Sequence, residues 1–391
     1  MIRLEEALKT VIAHARPVTA RETVTIETCG GRVLASPVKA DRDLPPYDRV
    51  AVDGYACRRT DLPGPLSVVE TVAAGALPQK RVEPGTCIRV MTGGVAPQGA
   101  DTIVMVEDSS ETIPDKITVT RIDKNPNIAR KGEDATGGAL LVAAGTRLSE
   151  RHVATLASVG AVSPLVWARP RVAIVSTGDE VVPPEQSPQP HQIRNSNGPT
   201  LAALCRRAGA EVSFTALAPD RLEELTATIG MAMEQSDLVL LSGGVSKGKF
   251  DLVPDAVSRC GGKILFDKIA IKPGKPTTFA VGSDKALFGL PGNPVSVFVV
   301  FELLVRPFID KISGVATPPV ELSLPIGGRY ERRSGEREEW LPATIRGGRV
   351  SPISYHGSGH FYALTEADCI VRIPMGIIEV AAGEVLRARP L

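Results

Sequence analysis

A glycine-rich stretch, LSGGVSKGKFD, follows an apolar run and occupies residues 241–251. Glycine allows backbone N–H groups to converge on an anion, and the lysines add positive charge. The stretch is neither a Walker P-loop, which ends in Gly-Lys-Ser/Thr, nor a GxGxxG dinucleotide turn. We therefore predict a phosphate-binding loop for another kind of ligand, formed by Ser242, Gly243, Gly244 and Ser246.

Asp251 closes this loop directly before an expected helix. A carboxylate in that position could hold a divalent cation against phosphate oxygens. It could equally cap the helix and have no role in chemistry. The residues of this stretch alone leave both interpretations open.

Three lysines lie close together in a second stretch, DKIAIKPGKP. Lys268 and Lys272 are expected on one strand at a spacing that puts them on the same face, and Lys275 follows a Pro-Gly turn. Three ammonium groups in this arrangement favour a site for an oxyanion or a phosphate. The alternative is a solvated edge strand whose lysines prevent aggregation.

Two further strand ends carry candidate groups. In STGDE, Glu180 could contact a metal ion or a hydroxyl group, and Asp179 could do the same or cap a turn. In PGNPVS the chain turns sharply into a helix, whose first N–H groups attract anions. We assign Pro291, Gly292 and Asn293 to ligand binding, although Asn293 could be a simple N-cap.

Polar candidates also lie at turns between short strands nearer the N-terminus. These are Asp53 in VDGYA, Thr92 in VMTGG and Asp134 in KGEDA. Because Asp-Gly after an alternating run is a hairpin signal, a purely structural Asp53 is the alternative.

Alternating strands and helices from residue 170 onward must position the phosphate and oxyanion groups. Buried apolar runs such as RVAIV, DLVLL and ALFGL are separated by helices, which is typical of a mainly parallel sheet wound on both faces. Ligands in such sheets bind beyond the carboxyl ends of the strands. STGDE, SGGVSKG and LPGNP all follow strands, so we expect them to meet in one crevice.

The rest of the chain divides by its pattern of apolar residues. Helical spacing predicts helices over 1–16 and 149–161, whereas short alternating runs elsewhere predict antiparallel strands and, in the tail, a small β-barrel or sandwich. The expected domains are a helical element at 1–40 that resumes at 141–168, an inserted β domain at 41–140, an α/β domain at 169–313 and a C-terminal β domain at 318–391.

Composition excludes several classes of partner. A net charge of +1 and an aromatic fraction of 4% argue against nucleic acid, and no apolar run is long enough to span a membrane. The six cysteines include no CxxC pair, which favours buried free thiols over zinc or disulfides. The N-terminal amphipathic helix lacks the character of a targeting sequence. We therefore expect a cytoplasmic protein.

The order of the motifs resembles that of the MoeA family of molybdopterin molybdenumtransferases, which also includes the E domain of gephyrin. The matching stretches are LPPYDRVAVDGYA, RVMTGGVAPQGADTIVMVED, KGEDA, VAIVSTGDE, RNSNGPTLAA, LSGGVSKGKFD, KIAIKPGKP and GLPGNPVS, and HGSGHF follows in the tail. The resemblance implies an N-terminal helical domain, a β insertion, a doubly wound α/β domain like MogA and MoaB, and a C-terminal β-barrel. It also implies a homodimer whose active site is shared between the subunits.

The resemblance further implies a reaction in which adenylylated molybdopterin and molybdate give molybdenum cofactor and AMP, with Mg²⁺. It implies partners such as a MogA-like adenylyltransferase and proteins of molybdoenzyme maturation. Matched motif by motif, it assigns metal binding to Asp251 and Glu180 and ligand binding to Lys275. It assigns catalytic roles to Asp53, Thr92, Asp134, Glu180, Asp251, Lys268, Lys272, Arg337 and Ser358.

Two residues depart from the family pattern: Val52 stands where Met usually precedes DGYA, and Lys247 replaces a valine of the glycine loop. Two other functions fit the same fold, a scaffold that binds molybdopterin without turnover and a molybdopterin adenylyltransferase. The complete set of acidic and basic site residues favours catalysis. The four-domain arrangement favours molybdenum insertion over adenylyl transfer, which a lone α/β domain would suggest.

Overall fold

The chain folds into two compact units. The structure, a computed structural model, describes residues 1–244, 252–282, 284–354, 357 and 359–391. The first unit contains residues 1–36, 144–150 and 163–391, and the second contains residues 37–143 and 151–162. Within the described residues, no helix has both the length and the apolar character needed to cross a membrane.

The first unit begins with an amphipathic helix, α1 (Leu4–Ala13), and a short strand, β1 (Arg21–Thr23). Ala7 and Val11 of α1 are fully buried in the main hydrophobic core, and Leu8 packs against it. The predicted helix and its apolar face are therefore confirmed.

The second unit consists mainly of short strands, and the helix α2 follows them. Their bounds are β2 (Val38–Lys39), β3 (Arg49–Val50), β4 (Gly54–Cys57), β5 (Leu66–Thr71), β6 (Thr86–Val90), β7 (Thr102–Met105), β8 (Ser109–Ile113), β9 (Lys116–Val119), β10 (Ile128–Ala129), β11 (Leu140–Val142) and α2 (Glu150–Ser158).

The main sheet of the second unit has the strand order β7-β4-β6-β5-β9-β8. As predicted, β4 pairs antiparallel with β6 and β7. However, β5 and β6 pair in parallel, with Ser67 beside Thr86, so the antiparallel prediction is wrong for this pair. The reason is the connection over residues 72–85, which crosses back before β6 begins, as parallel neighbours require.

The first unit resumes with β12 (Leu165–Trp167), which pairs with β1, and continues into the α/β domain and its helices. The bounds that follow are β13 (Arg171–Thr177), β14 (Val181–Val182), β15 (Ile193–Arg194), α3 (Asn197–Arg207), β16 (Glu211–Ala218), α4 (Leu222–Gln235), β17 (Leu238–Ser242), α5 (Val253–Arg259), β18 (Lys263–Phe266), β19 (Ile271–Lys272), β20 (Thr278–Gly282), β21 (Lys285–Leu290), α6 (Pro294–Val300) and α7 (Arg306–Ile312).

The central sheet has the order β16-β13-β17-β21-β20-β18, parallel from β16 to β21 and antiparallel beyond. Successive residues of a strand point to opposite faces. Ile174 and Leu240 accordingly join the core that contains residues of α1, α3, α6 and α7, whereas Val175 and Leu241 join the core that contains residues of α4 and α5. The doubly wound α/β fold predicted from the sequence is therefore confirmed.

The C-terminal segment forms a small barrel. The segment contains β22 (Leu322–Pro325), β23 (Tyr330–Glu331), β24 (Glu338–Arg346), β25 (Arg349–Pro352), a 3-10 helix (Phe361–Glu366), β26 (Cys369–Ile373), β27 (Glu379–Val380) and β28 (Val385–Pro390). Its sheet has the order β19-β24-β26-β28-β22, and β25 pairs with β24. Ile326, directly after β22, bridges Val350 of β25, and this bridge closes the sheet.

The six cysteines are free thiols, as predicted, and all but Cys260 are buried. Burial raises the pKa of Cys57, Cys87 and Cys205 to about 12. Because the thiolate is the reactive form, these three side chains are chemically inert at neutral pH in the folded state.

The aromatic cluster around Phe279 provides a test of the first unit's core. Phe279 is fully buried, with ring centroids 4.8 Å from Phe288 and 5.7 Å from Phe266. We expect Phe279→Ala to lower the free energy of unfolding by about 3–5 kcal/mol. Tryptophan fluorescence during urea unfolding measures this, because both tryptophans lie in the first unit.

The matched control is Met231→Ala, a truncation of a half-exposed side chain on α4. It should change the same free energy by less than about 0.5 kcal/mol, since alanine is a good helix former. Equal effects of the two substitutions would contradict the assignment of Phe279 to the core.

Thiol labelling tests the burial of the cysteines. With Ellman's reagent at pH 8, we expect Cys260 to react first, because a thiol of pKa about 12 is ionised to only about one part in ten thousand. Cys260→Ser should remove the fast phase, and denaturant should release all six thiols. Several fast-reacting thiols in the native protein would contradict this packing.

Candidate functional site

A cavity of about 650 Å³ lies at the carboxyl ends of β13, β17 and β21. Ser176, Ser242 and Leu290 are aligned in register at this edge of the sheet. The predicted meeting of three strand ends in one crevice is therefore confirmed. We call it the strand-end cavity; its walls bring together the predicted residues Glu180, Ser242, Gly243, Gly244, Pro291, Gly292 and Asn293.

Gly243 and Gly244 are required by the backbone at the end of β17. Gly243 has φ +97°, and a Cβ there would lie 2.7 Å from the carbonyl oxygen of Thr177. Gly244 has φ +63°, and its Cβ would lie 2.9 Å from the side chain of Val253. A side chain at either position would strain the backbone and clash with these neighbours.

Several predicted members of the site lie outside the described residues. They are Ser246 and Asp251 of the glycine loop, with Lys247 between them, and Ser358 of the tail. Both roles considered for Asp251, metal binding and capping of α5, therefore remain predictions.

Asn197, the first residue of α3, links two of the strand ends and was not predicted. Its Nδ2 donates hydrogen bonds to the Ser242 hydroxyl at 2.8 Å and to the Gly292 carbonyl at 2.7 Å. Asn195 supports the turn before it by accepting a hydrogen bond from the Gly198 N–H at 2.9 Å. The available signal was RNSNGPTLAA, in which Asn195 stands just before the helix and Asn197 begins it.

A further carboxylate, Asp220, lines the same cavity and was also missed. Burial raises its pKa, and the negative charges of Asp179 and Glu180 raise it further. Its N–H donates to Asp179 Oδ1 at 3.1 Å. Asp220 follows the end of β16, so the strand-end rule applied to EVSFTALAPD would have found it.

A second cavity, of about 560 Å³, adjoins the first. Lys272, Lys275 and Arg337 line it, so the structure brings these three predicted cations together. We call it the lysine cavity. It shares Pro276, Pro291 and Asn293 with the strand-end cavity, so the two spaces are contiguous.

Glu339 anchors Lys272 in the lysine cavity. The two residues face each other where β19 pairs with β24, and the Lys272 Nζ lies 2.8 Å from Glu339 Oε1. The Tyr330 hydroxyl donates to the second carboxylate oxygen at 3.0 Å, and an Arg332 nitrogen lies 3.6 Å from it. Glu339 is only 1% exposed, so these partners compensate a buried charge. Sequence reasoning did not identify it.

Lys268 lies apart from Lys272. Its Nζ pairs with Asp267 at 3.1 Å, and it lines neither cavity in the described part of the chain. The prediction that Lys268 and Lys272 share a strand face is wrong. β18 ends at Phe266, so Lys268 lies in the connection that follows it, whereas Lys272 lies in β19, which leaves the central sheet and pairs with β24.

Three predicted residues belong to the second unit. Asp53 accepts hydrogen bonds from the Thr92 N–H at 2.6 Å and from its hydroxyl at 2.7 Å, and these bonds lower the pKa of Asp53. Asp134 lies on a separate turn, where its N–H donates to the Leu44 carbonyl at 2.9 Å. Asp53 therefore fixes the turn that carries Thr92, and it stays ionised at neutral pH.

Comparison with known families gives matches along the whole chain. The family described as MoeA N-terminal region (domain I and II) matches residues 2–160. The family described as probable molybdopterin binding domain matches residues 173–311, and the MoeA C-terminal region (domain IV) matches residues 328–391.

Individual relatives agree. The molybdopterin molybdenumtransferase of Staphylococcus aureus (strain MRSA252) is 32% identical over 394 residues, covering 98% of this chain and 94% of the relative. That of Staphylococcus epidermidis (strain ATCC 12228) is 31% identical over 397 residues, with the same coverage. The crystal structure of the molybdopterin biosynthesis MoeA protein from Pyrococcus horikoshii OT3 matches with a TM-score of 0.85 and 29% identity over 100% of both chains.

The fold, the contiguous cavities and these matches agree with the resemblance seen in the motifs. The chain belongs to the MoeA family of molybdopterin molybdenumtransferases, transferases of molybdenum cofactor biosynthesis.

Proposed function

We propose that this protein inserts molybdate into adenylylated molybdopterin, releasing AMP and forming molybdenum cofactor. The observation that carries the proposal is the contiguity of the strand-end cavity and the lysine cavity through Pro276, Pro291 and Asn293. One space offers glycine backbone and a helix N-terminus, and the other offers three cations. The first suits phosphate groups and the second suits an oxyanion, so together they suit a bulky ligand that carries more than one anionic group.

The cations of the lysine cavity hold the anionic groups. Molybdate is a tetrahedral dianion, and Lys272, Lys275 and Arg337 supply positive charge that is already in place before it binds. Such preorganised charge stabilises negative charge that develops when a phosphate bond is cleaved. Glu339 holds the Lys272 ammonium at 2.8 Å and so fixes its position.

Mg²⁺ fits the donor chemistry of the strand-end cavity. The described residues contain no cluster of three or more His, Cys, Asp and Glu side chains suited to a metal ion. Mg²⁺, however, is usually bound through one or two carboxylates and completed by phosphate oxygens and water, and Glu180 and Asp220 both line this cavity. We assign Glu180, whose carboxylate lines the cavity, and Asp251 as its protein ligands. When bound, the ion would neutralise charge on the phosphates.

The remaining features of the proposal come from the family resemblance. We propose a cytoplasmic homodimer in which Asp53, Thr92 and Asp134 of one subunit complete the site of the other. Lys268 and Ser358 complete the catalytic set. We also propose the domain bounds given above, a MogA-like adenylyltransferase that supplies the substrate, and molybdoenzyme-maturation proteins that receive the product.

The role of Lys272 can be measured directly. Incubation with adenylylated molybdopterin, Mg²⁺ and molybdate should release AMP, and Lys272→Ala should reduce the rate about 100-fold, as removal of a preorganised charge typically does. A higher salt concentration should reduce the difference in rate between the parent and the variant, because salt screens the attraction of the parent for the anions. Lys116→Ala, at an exposed lysine of β9 in the second unit, is the control and should change the rate less than about twofold.

AMP release by the parent at the same rate without molybdate, or no release at all, would overturn the proposed function. If Lys116→Ala and Lys272→Ala changed the rate of AMP release equally little, the alternative interpretation of a solvated edge strand would be favoured for the lysines.

Subunit mixing tests the shared site. Asp53→Ala and Lys272→Ala should each be inactive as homodimers, because each damages both sites. After random exchange, about half of the dimers are heterodimers with one intact site, so activity should recover to about a quarter of the parent value. No recovery despite demonstrated exchange would mean that each site is built within one chain.

A further inference from the structure

Two aromatic rings of the C-terminal barrel face the strand-end cavity. Phe361 and Tyr362, at the start of the 3-10 helix, both line it. Their ring centroids are 4.4 Å apart and their planes are inclined by only 27°, so the rings are stacked. Phe361 is 36% exposed and Tyr362 is 66% exposed. The pair therefore offers an open aromatic face to the cavity.

Core packing does not account for this pair. Aromatic residues make up only 4% of the chain, and several of them, such as Phe279, Phe288 and Phe301, are fully buried in the core. Neither Phe361 nor Tyr362 packs in any of the described hydrophobic clusters. Exposed aromatic faces that line a cavity are typical of ligand stacking.

The charges around the pair indicate what kind of group it receives. The described walls of the strand-end cavity carry two carboxylates, Glu180 and Asp220, against one cation, Arg194. The adjoining lysine cavity carries three cations, Lys272, Lys275 and Arg337, against one carboxylate, Glu339. An uncharged, flat group is therefore the better occupant beside Phe361 and Tyr362, while the anionic parts of the same ligand extend toward the glycine backbone and the lysines.

We propose that Phe361 and Tyr362 form the stacking surface for a planar heteroaromatic ring of the substrate, with Tyr362 as the main contact. The proposal rests on the proposed function, whose substrate contains two such rings, a pterin and an adenine. Stacking of a base on an aromatic side chain typically contributes about 1–3 kcal/mol, which corresponds to a roughly fivefold to 150-fold change in affinity.

Direct binding measurements test the surface independently of turnover. The probes are AMP, free pterin and ribose 5-phosphate, which has a sugar phosphate but no ring system, titrated by calorimetry. Tyr362→Ala should weaken binding of AMP, of pterin or of both by about tenfold, and Tyr362→Phe should retain affinity within about twofold because the ring face is kept. Ribose 5-phosphate should bind all variants equally.

The control is Ile378→Ala, which truncates a large apolar side chain of the same barrel that is 58% exposed and lies outside the described walls of the cavity. It should leave all three affinities unchanged. A loss for AMP alone identifies adenine as the stacked ring, and a loss for pterin alone identifies the pterin.

Three results would overturn the stacking proposal: parental affinity of Tyr362→Ala for both ring compounds, an equal loss for ribose 5-phosphate, or no binding of either ring compound by the parent. The AMP-release assay separates these from failure of the proposed function. If the parent releases AMP and the Tyr362→Ala variant binds both ring compounds with parental affinity, only the stacking proposal is rejected and the proposed function stands.

Discussion

The strands β13, β17 and β21 are buried on both faces, and this burial determines where chemistry can take place. Val172, Leu238 and Leu240 are fully enclosed, and backbone groups in such strands must be satisfied by neighbouring strands. Polar side chains are therefore excluded until the strands end. At that edge the register places Ser176 and Ser242 side by side, and the glycines that follow expose backbone. The strand-end cavity is a consequence of this arrangement.

The pairing of β19 with β24 connects this edge to the C-terminal barrel. It places Lys272 of the KIAIKPGKP stretch opposite Glu339. Leaving a buried carboxylate without partners is strongly destabilising, so Lys272, Tyr330 and Arg332 all act to compensate it. The same carboxylate thereby fixes a cation at the lysine cavity. The position of the Lys272 ammonium and the stability of the junction between the two domains therefore both depend on the side chain of Glu339.

Sequence patterns predicted those parts of the site that are determined by residues close together in the chain. The strand ends at Glu180, Ser242 and Pro291 were identified because buried runs followed by Gly, Pro and polar residues have a periodicity that is visible in the sequence. Lys268 was placed on the wrong element because β19 pairs with β24, far along the chain, and no local feature reports that partner.

Other features were invisible for the same reason. Glu339 becomes significant only through partners brought to it by folding, and the parallel pairing of β5 with β6 depends on how a connection crosses the sheet. The roles of Asp251 and Ser358 remain predictions, because both residues lie outside the described part of the chain.

The burial of the thiols has a consequence for metal binding. Thiolates are metal ligands, and a reactive cysteine beside molybdate would compete with the dithiolene sulfurs of the proposed substrate. No cysteine is among the described residues that line either cavity, and Cys57, Cys87 and Cys205 have pKa values of about 12. The described residues that line the two cavities therefore offer oxygen and nitrogen donors and no thiol. Under the proposed function, the dithiolene of the substrate therefore meets no competing thiol among the described walls of the two cavities.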